Sequence, residues 1–451
     1  MTPVFLPTDV LIWLLVAAVA AFAWYSSRRA HLAAPWRRVF RSRIAVACAV
    51  VLGFYVVVGL LDSLHYRPRL PATSPDAPVA YSIQVKSVLD AALAPLRTRL
   101  EKTYSAPLAT RLYQKESVER PDGTTLREFP RLAYGGRHLK DERGWGADVA
   151  LRVLVGLAGA GVLLGLAVFA GRRTLARRWP EVPWGAAAAA LGAILALAGP
   201  VTALAEGYHV LGTDRVGNDV LFQALKSIRT SLVIGTLTTL VLLPLGILAG
   251  IAAGYFRGWV DDVIQYVYTT LNSIPGVLLI AASVLMVQVY VDTHPETFPT
   301  AAQRADFRLL ALCAILGAVG WTGLARLLRG EALKLSELEY IQAAHAFGVS
   351  HARVLARHIV PNVAHIVIIT LVLDFSGLVL AEAVLSYVGV GVDPSTTSFG
   401  TMINAARLEM AREPMVWWSL AAAFLFMFAL VLAANLFADA VRDGFDPRVR
   451  V

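Results

Sequence analysis

The sequence predicts an all-α polytopic membrane protein, and three observations carry that prediction. Of its 451 residues, 57% are hydrophobic and only 16% are charged, for a mean hydropathy of +0.60. A water-soluble domain has too little interior to hide so much apolar surface. Nine segments approach or exceed the roughly 20 apolar residues that a helix needs to cross a bilayer. The basic residues sit in short loops between those segments, so the net charge of +9 reads as membrane topology, not as nucleic-acid binding.

Eight of the spans are uncharged: 10–27, 44–61, 153–171, 182–205, 230–256, 263–291, 309–325 and 415–438. The ninth, about 362–381, holds His365 and Asp374. Basic loops mark the cytoplasmic side. With the N-terminus outside, the cytoplasmic loops are 28–43, 172–181, 257–262, 326–358 and 439–451. These hold 19 Lys and Arg, against 7 in the short outer segments 1–9, 206–229, 292–308 and 382–414. The expected orientation is N-terminus out and C-terminus in. No basic stretch precedes the first span, so it does not read as a cleavable signal peptide. Cys48 and Cys313 both fall inside apolar runs and read as small core hydrophobes.

One long segment, 62–148, lies outside in this topology with 14 Lys/Arg and 11 Asp/Glu. Long loops translocate largely regardless of charge. Pro68, Pro71, Pro75 and Pro78 edge it. Apolar spacing from Ile83 to Leu100 predicts a helix over about 81–104, and Pro121-Asp122-Gly123 predicts a turn between short extended pieces. The expectation is a small folded extracytoplasmic domain.

The most informative segment is the loop 338–361. Leu338, Ile341, Ala344 and Phe347 recur at helical spacing. Gly348 can end that helix, Ser350 can cap a second over 353–359, and Pro361 would stop it. Ala343 and Ala344 leave room for another surface to approach. A basic hairpin that merely joins two spans has the same composition. The spacing of Gln342-Ala343-Ala344, Gly348 and Ile359-x-Pro361, however, resembles the EAA loop of ATP-binding-cassette (ABC) importer permeases. Gln342 stands where the family's name has Glu.

The resemblance extends along the chain. The string from His209 contains Gly212-Thr213-Asp214, Gly217 and Asp219, similar to a signature of the dipeptide/oligopeptide/nickel branch; Asn218 stands where that branch has Arg. Read physically, Thr213 or Asp214 caps an amphipathic helix on the outer membrane face, with Val220, Leu221, Ala224, Leu225 and Ile228 apolar. Further matches are 253–261, Asn272-Ser273-Ile274-Pro275, 382–391, 398–400 and 435–447. The resemblance covers 184 to the C-terminus and implies a six-helix type I permease core at 182–451. Two spans at 1–61, the insert 62–148 and a third extra span at 149–181 precede it. It also implies a translocation path for short peptides, a second homologous permease, two ABC ATPase subunits docked on 338–361 and an extracytoplasmic substrate-binding protein. ATP-Mg would sit on the ATPases.

No phosphate-cradling Gly-x-x-x-x-Gly-Lys-Ser/Thr string, His-Glu-x-x-His or Gly-x-Ser-x-Gly occurs, so the chain reads as a transport subunit and not an enzyme. His345, His351 and His358 read as a solvated basic face, not a metal site. Asp374, in mid-span, avoids lipid and faces either a translocation path or a structural hydrogen-bond partner. Asn272, Ser273 and Pro275 form a polar break, either a packing kink or part of a gate. The rival cargo is nickel or another small solute. A rival class, a membrane sensor with an extracytoplasmic ligand domain, lacks an output domain in the 13 residues after Ala438.

Overall fold

The structure, a computed structural model, describes residues 2–70, 80–119 and 125–445. The expected turn at Pro121-Asp122-Gly123, three of the prolines (Pro71, Pro75 and Pro78) and the end of the 435–447 match lie outside those residues. In chain order the elements begin with β1 (Thr2–Val4), α1 (Pro7–Ser27), α2 (Ala30–Val39), α3 (Arg43–Asp62), β2 (His65–Arg67) and β3 (Lys86–Ser87). There follow α4 (Val88–Ala92), α5 (Ala94–Thr98), β4 (Glu116–Glu119), β5 (Thr125–Glu128), α6 (Trp145–Arg178) and α7 (Trp184–Ala205). Next come α8 (Val220–Phe256), α9 (Gly258–Ser273), α10 (Gly276–Thr293), α11 (Ala301–Gly320) and α12 (Thr322–Ser336). The chain ends with α13 (Glu339–Ala346), α14 (His351–Val354), a π turn (Leu355–Ile359), α15 (Val360–Val388), α16 (Phe399–Glu409) and α17 (Trp418–Phe445). Among the described residues nine helical stretches are long and apolar enough to cross a membrane.

The chain forms two compact units. The first comprises Met1–Phe5, Ala30–Ser231 and Thr396–Ala440. Its β1, β2 and β3 make a small antiparallel sheet, and β4 pairs with β5 as a hairpin. The expected helix over 81–104 breaks into β3, α4 and α5. Ser87 and Asp90 form a capping box that starts α4 at Val88, and Pro95, with no N–H to give, enforces a fresh start at α5. Helices α6 and α7 pack closely where Gly156 meets Gly199 and Pro200, the small-residue contact typical of membrane helices. Cys48 is free and buried in α3.

The second unit comprises Leu6–Arg29, Leu232–Ser395 and Val441–Val451. Its core has two apolar clusters, one around Leu309, Leu312, Cys313 and Leu316 of α11, the other around Leu324, Leu328, Ile341, Val354 and Ile359. The expected span 263–291 is two helices. Ile274 is extended and Pro275 opens α10, so α9 ends at Ser273 and only α10 is long and apolar enough to span. The outer-face helix and the following span are instead one 37-residue helix, α8.

Candidate functional site

The loop 338–361 is a hairpin with two unlike faces. Ile341, Val354 and Ile359 are wholly buried against Leu324, Leu328 and Ala332 of α12 and Tyr255 of α8. The opposite face carries exposed Gln342, Ala343 and Phe347, the last 86% exposed, while half-buried Ala344 packs against the apolar cluster beside Ile341. The expected apolar stripe is therefore split: Ile341 is core, whereas Leu338 and Phe347 point outward. Burying a phenylalanine is worth roughly 1.5–3 kcal/mol, so a bare Phe347 is a feature the isolated chain leaves unsatisfied.

Gly348 has φ +75°, the left-handed conformation that ends α13. The Val349 N–H closes the turn on the Ala344 carbonyl at 3.0 Å. Ser350 stands at the next N-cap, but its side chain accepts no capping hydrogen bond. Pro361 does not stop a helix as expected. The π turn brings the Val360 N–H to the Leu355 carbonyl, and Pro361 then lies in the first turn of α15, where its missing N–H costs little. Residues 351–388 thus form one continuous helical rod.

His345 and His351 converge on one group and do not form a purely solvated face. Both reach the Tyr255 hydroxyl, His345 Nε2 and His351 Nδ1 each at 2.9 Å. One phenol can donate to one imidazole and accept from the other, so the three groups close a bridge from α8 to both arms of the hairpin. His358 instead lies beside Tyr340. Among the described residues no group of three or more His, Cys, Asp or Glu could hold a metal ion.

The string 209–219 is an irregular loop ahead of α8. The expected caps Thr213 and Asp214 do not cap the helix. Asp219 does, accepting the Phe222 N–H at 3.1 Å. Asp214 shapes the loop, accepting from the Val216 and Asn218 N–H groups at 2.8 and 2.9 Å and from the Asn218 amide at 3.0 Å. Gly212 and Gly217, at φ +72° and +80°, leave no room for a Cβ. One would strike the Ser105 carbonyl and the other the Glu101 backbone. The face Val220, Leu221, Ala224 and Ile228 is buried in protein, so it does not lie on a membrane surface.

The insert and this loop interlock. The Thr213 hydroxyl accepts from the Ser105 N–H at 2.7 Å, and the Trp418 indole donates to the Thr213 carbonyl at 2.9 Å. His209 is buried between two carboxylates, with Asp219 Oδ2 at 2.8 Å and Glu101 Oε1 at 3.4 Å. Burial opposes its charge, but the hydrogen bonds and charges of Asp219 and Glu101 win and raise its pKa to about 9. Burial likewise opposes the Glu101 charge. His209 and the N–H groups of Gly135, Ala133 and Tyr134 overcome it and lower that pKa to about 2. No sequence motif signals this triad, because Glu101 lies over 100 residues before Asp219.

The remaining sequence-predicted residues lie apart from the hairpin face. Asp374 is half-buried in the middle of α15. Asn272, Ser273 and Pro275 are exposed at the α9–α10 break; Asn272 Oδ1 accepts from the Thr322 hydroxyl at 3.3 Å. In the 382–391 stretch, wholly buried Glu382 accepts from the Ser386 hydroxyl at 2.7 Å, and that hydroxyl accepts from the Val392 N–H at 3.3 Å. Together they fold the chain back after Gly389 ends α15.

The described residues thus define a polytopic helical membrane protein with a two-faced hairpin between α12 and α15. The family of binding-protein-dependent transport system inner membrane components matches residues 246–451. The oligopeptide transport system permease protein OppC of Mycobacterium bovis is 34% identical over 242 residues, 54% of this chain and 77% of the relative. The glutathione transport system permease protein GsiD of Pectobacterium atrosepticum is 31% identical over 249 residues, 54% of this chain and 73% of the relative. The dipeptide transport system permease protein DppC of Lactococcus lactis is 28% identical over 240 residues, 53% and 64%. A solved structure of the MetNI methionine ABC transporter in inward-facing conformations aligns at 17% identity and TM-score 0.35, over 49% of this chain and 96% of that one. The chain belongs to the family of binding-protein-dependent transport system inner membrane components: it is a multi-pass inner-membrane permease subunit of an ABC importer.

Proposed function

We propose that this chain and a second, homologous permease form the pathway by which an ABC importer takes up short peptides. The cargo reading rests on similarity to oligopeptide, dipeptide and glutathione permeases. The observation that carries the coupling is the two-faced hairpin. Ile341, Val354 and Ile359 root it in the second unit, while Gln342, Ala343 and Phe347 stay exposed for a partner. Two ABC ATPase subunits, holding ATP-Mg, would bury that face. Phe347 would fill a groove, and Ala343 and Ala344 would allow close approach.

Closure of the ATPases would push the hairpin as a lever. Because residues 351–388 are one rod, the push passes without a joint from the hairpin into the span that holds Asp374. Asp374 and the break at Asn272, Ser273 and Pro275 would line or gate the path. A binding protein would deliver peptide at the outer face, where the 62–148 insert lies, with the N-terminus outside and the C-terminus cytoplasmic. Affinity purification of the tagged chain from native membranes in mild detergent tests this. A second permease, P-loop ATPases and a peptide-binding protein should co-purify. A chain that emerges alone, while a control ABC complex stays intact, overturns the reading.

A further inference from the structure

The insert carries a basic surface at the base of α6. The loop 136–143 presents Arg137, Lys140 and Arg143, all exposed, and none has a carboxylate within salt-bridge reach among the described residues. Arg111 and Arg131 flank them and share one carboxylate, Glu142, at 2.7 and 3.8 Å. Asp141, the remaining acid of the loop, turns back to accept the Arg143 N–H at 3.2 Å. The patch thus sets five cations against Glu142 and Asp141, both already engaged, with Glu128 the further carboxylate near Arg111.

Two contacts tie the loop to the ends of two candidate spans. His138 Nε2 meets Asp148 Oδ2, in the first turn of α6, at 2.8 Å. The Gly136 N–H donates to the Gly207 carbonyl, just past the end of α7, at 2.8 Å. The loop is therefore held beside the start of α6 and the end of α7, with Arg137, Lys140 and Arg143 exposed. Trp145, 40% exposed, sits at the same level, and outward-facing apolar residues start two turns further on with Leu151. Aromatic side chains of this kind mark the headgroup zone.

We propose that Arg137, Lys140 and Arg143, with Arg111 and Arg131, bind the phosphate groups of anionic phospholipids at the rim of α6 and α7. The site adds an electrostatic hold on the membrane to the attachment that α6 and α7 already give the loop. It rests on the chain's spanning a membrane and is independent of the cargo.

The test uses the full-length protein in nanodiscs of phosphatidylglycerol or phosphatidylcholine, released into the gas phase for native mass spectrometry. Phosphatidylglycerol adducts should persist and phosphatidylcholine adducts should not. The triple variant Arg137→Gln/Lys140→Gln/Arg143→Gln should weaken retention by about fivefold per cation removed at low salt, less at high salt. A second variant, Lys115→Gln/Arg127→Gln, alters cations of the insert outside the loop 136–143 and should change retention little. Equal retention of the two lipids, or an unchanged triple variant, overturns the proposal. So does an equal loss in the second variant, displacement by an equal concentration of inorganic phosphate, or an acidic protein held in place of lipid.

Discussion

The hairpin at 339–361 and the insert–loop assembly around His209 are held by opposite physics. The hairpin stands on oil: Ile341, Val354 and Ile359 are buried among leucines, and its polar contacts are peripheral. The insert stands on charge: Glu101, His209 and Asp219 are buried together, and Glu101 also gathers three backbone N–H groups. A surface that must be seized and moved keeps its polar side free, whereas a cap that must stay put satisfies its polar groups internally. The stability of the insert should therefore depend on the charges of Glu101 and His209.

The strongest break is Glu101→Ala. It removes one of the two carboxylates beside His209, leaving Asp219, and strands three N–H groups, so a loss of about 3–5 kcal/mol is expected, seen as rapid proteolysis of the insert. The same contrast gives a pH window. Glu101 has a folded pKa of about 2 against 4.5 unfolded, so its contribution is present above 4.5 and is lost as pH falls toward 2. His209 has a folded pKa of about 9 against 6.5 unfolded, so its contribution is complete below 6.5 and fades as pH rises through 9. Insert protection in the parent should be greatest between those unfolded values, and an insert profile flat from pH 2 to 9 would refute the role of the buried charges.

Ile341→Ala comes next. Removing that buried side chain should cost about 2–5 kcal/mol and loosen the hairpin without touching the insert, which hydrogen exchange resolves. Gly348→Ala asks a residue with a Cβ to hold φ +75°, a strain of about 1–2 kcal/mol. Membrane insertion should be normal and uptake strongly reduced, and normal uptake would remove the lever from the mechanism. Tyr255→Phe is the mildest: it deletes the hydroxyl shared by His345 and His351 and should cost about 1 kcal/mol, visible as faster exchange at 345–351 only.

Much of this was legible in order of residues, because the bilayer imposes its length on any span and the hairpin's signals are local. Gly348 ends α13 as its spacing implies, and apolar runs locate the long helices. Legibility failed where a partner lies far away in sequence. Residues 220–228 look like a membrane-surface helix because their apolar face shows, but protein covers it. Thr213 looks like a cap, yet its hydroxyl is taken by Ser105 of the insert. Leu338 and Phe347 fit the periodicity of a buried stripe, and periodicity cannot say which surface a short helix turns toward the core.

What the sequence alone determined is what depends on one segment at a time: the apolar spans and the left-handed glycine between α13 and α14. Tertiary structure decided what depends on two segments meeting. It made one rod of 351–388 through a π turn, brought His345 and His351 to Tyr255, and enclosed His209 between Glu101 and Asp219. The reason is that helix formation is governed by neighbours along the chain, whereas burying a charge or a hydroxyl is tolerable only when a remote group arrives to meet it.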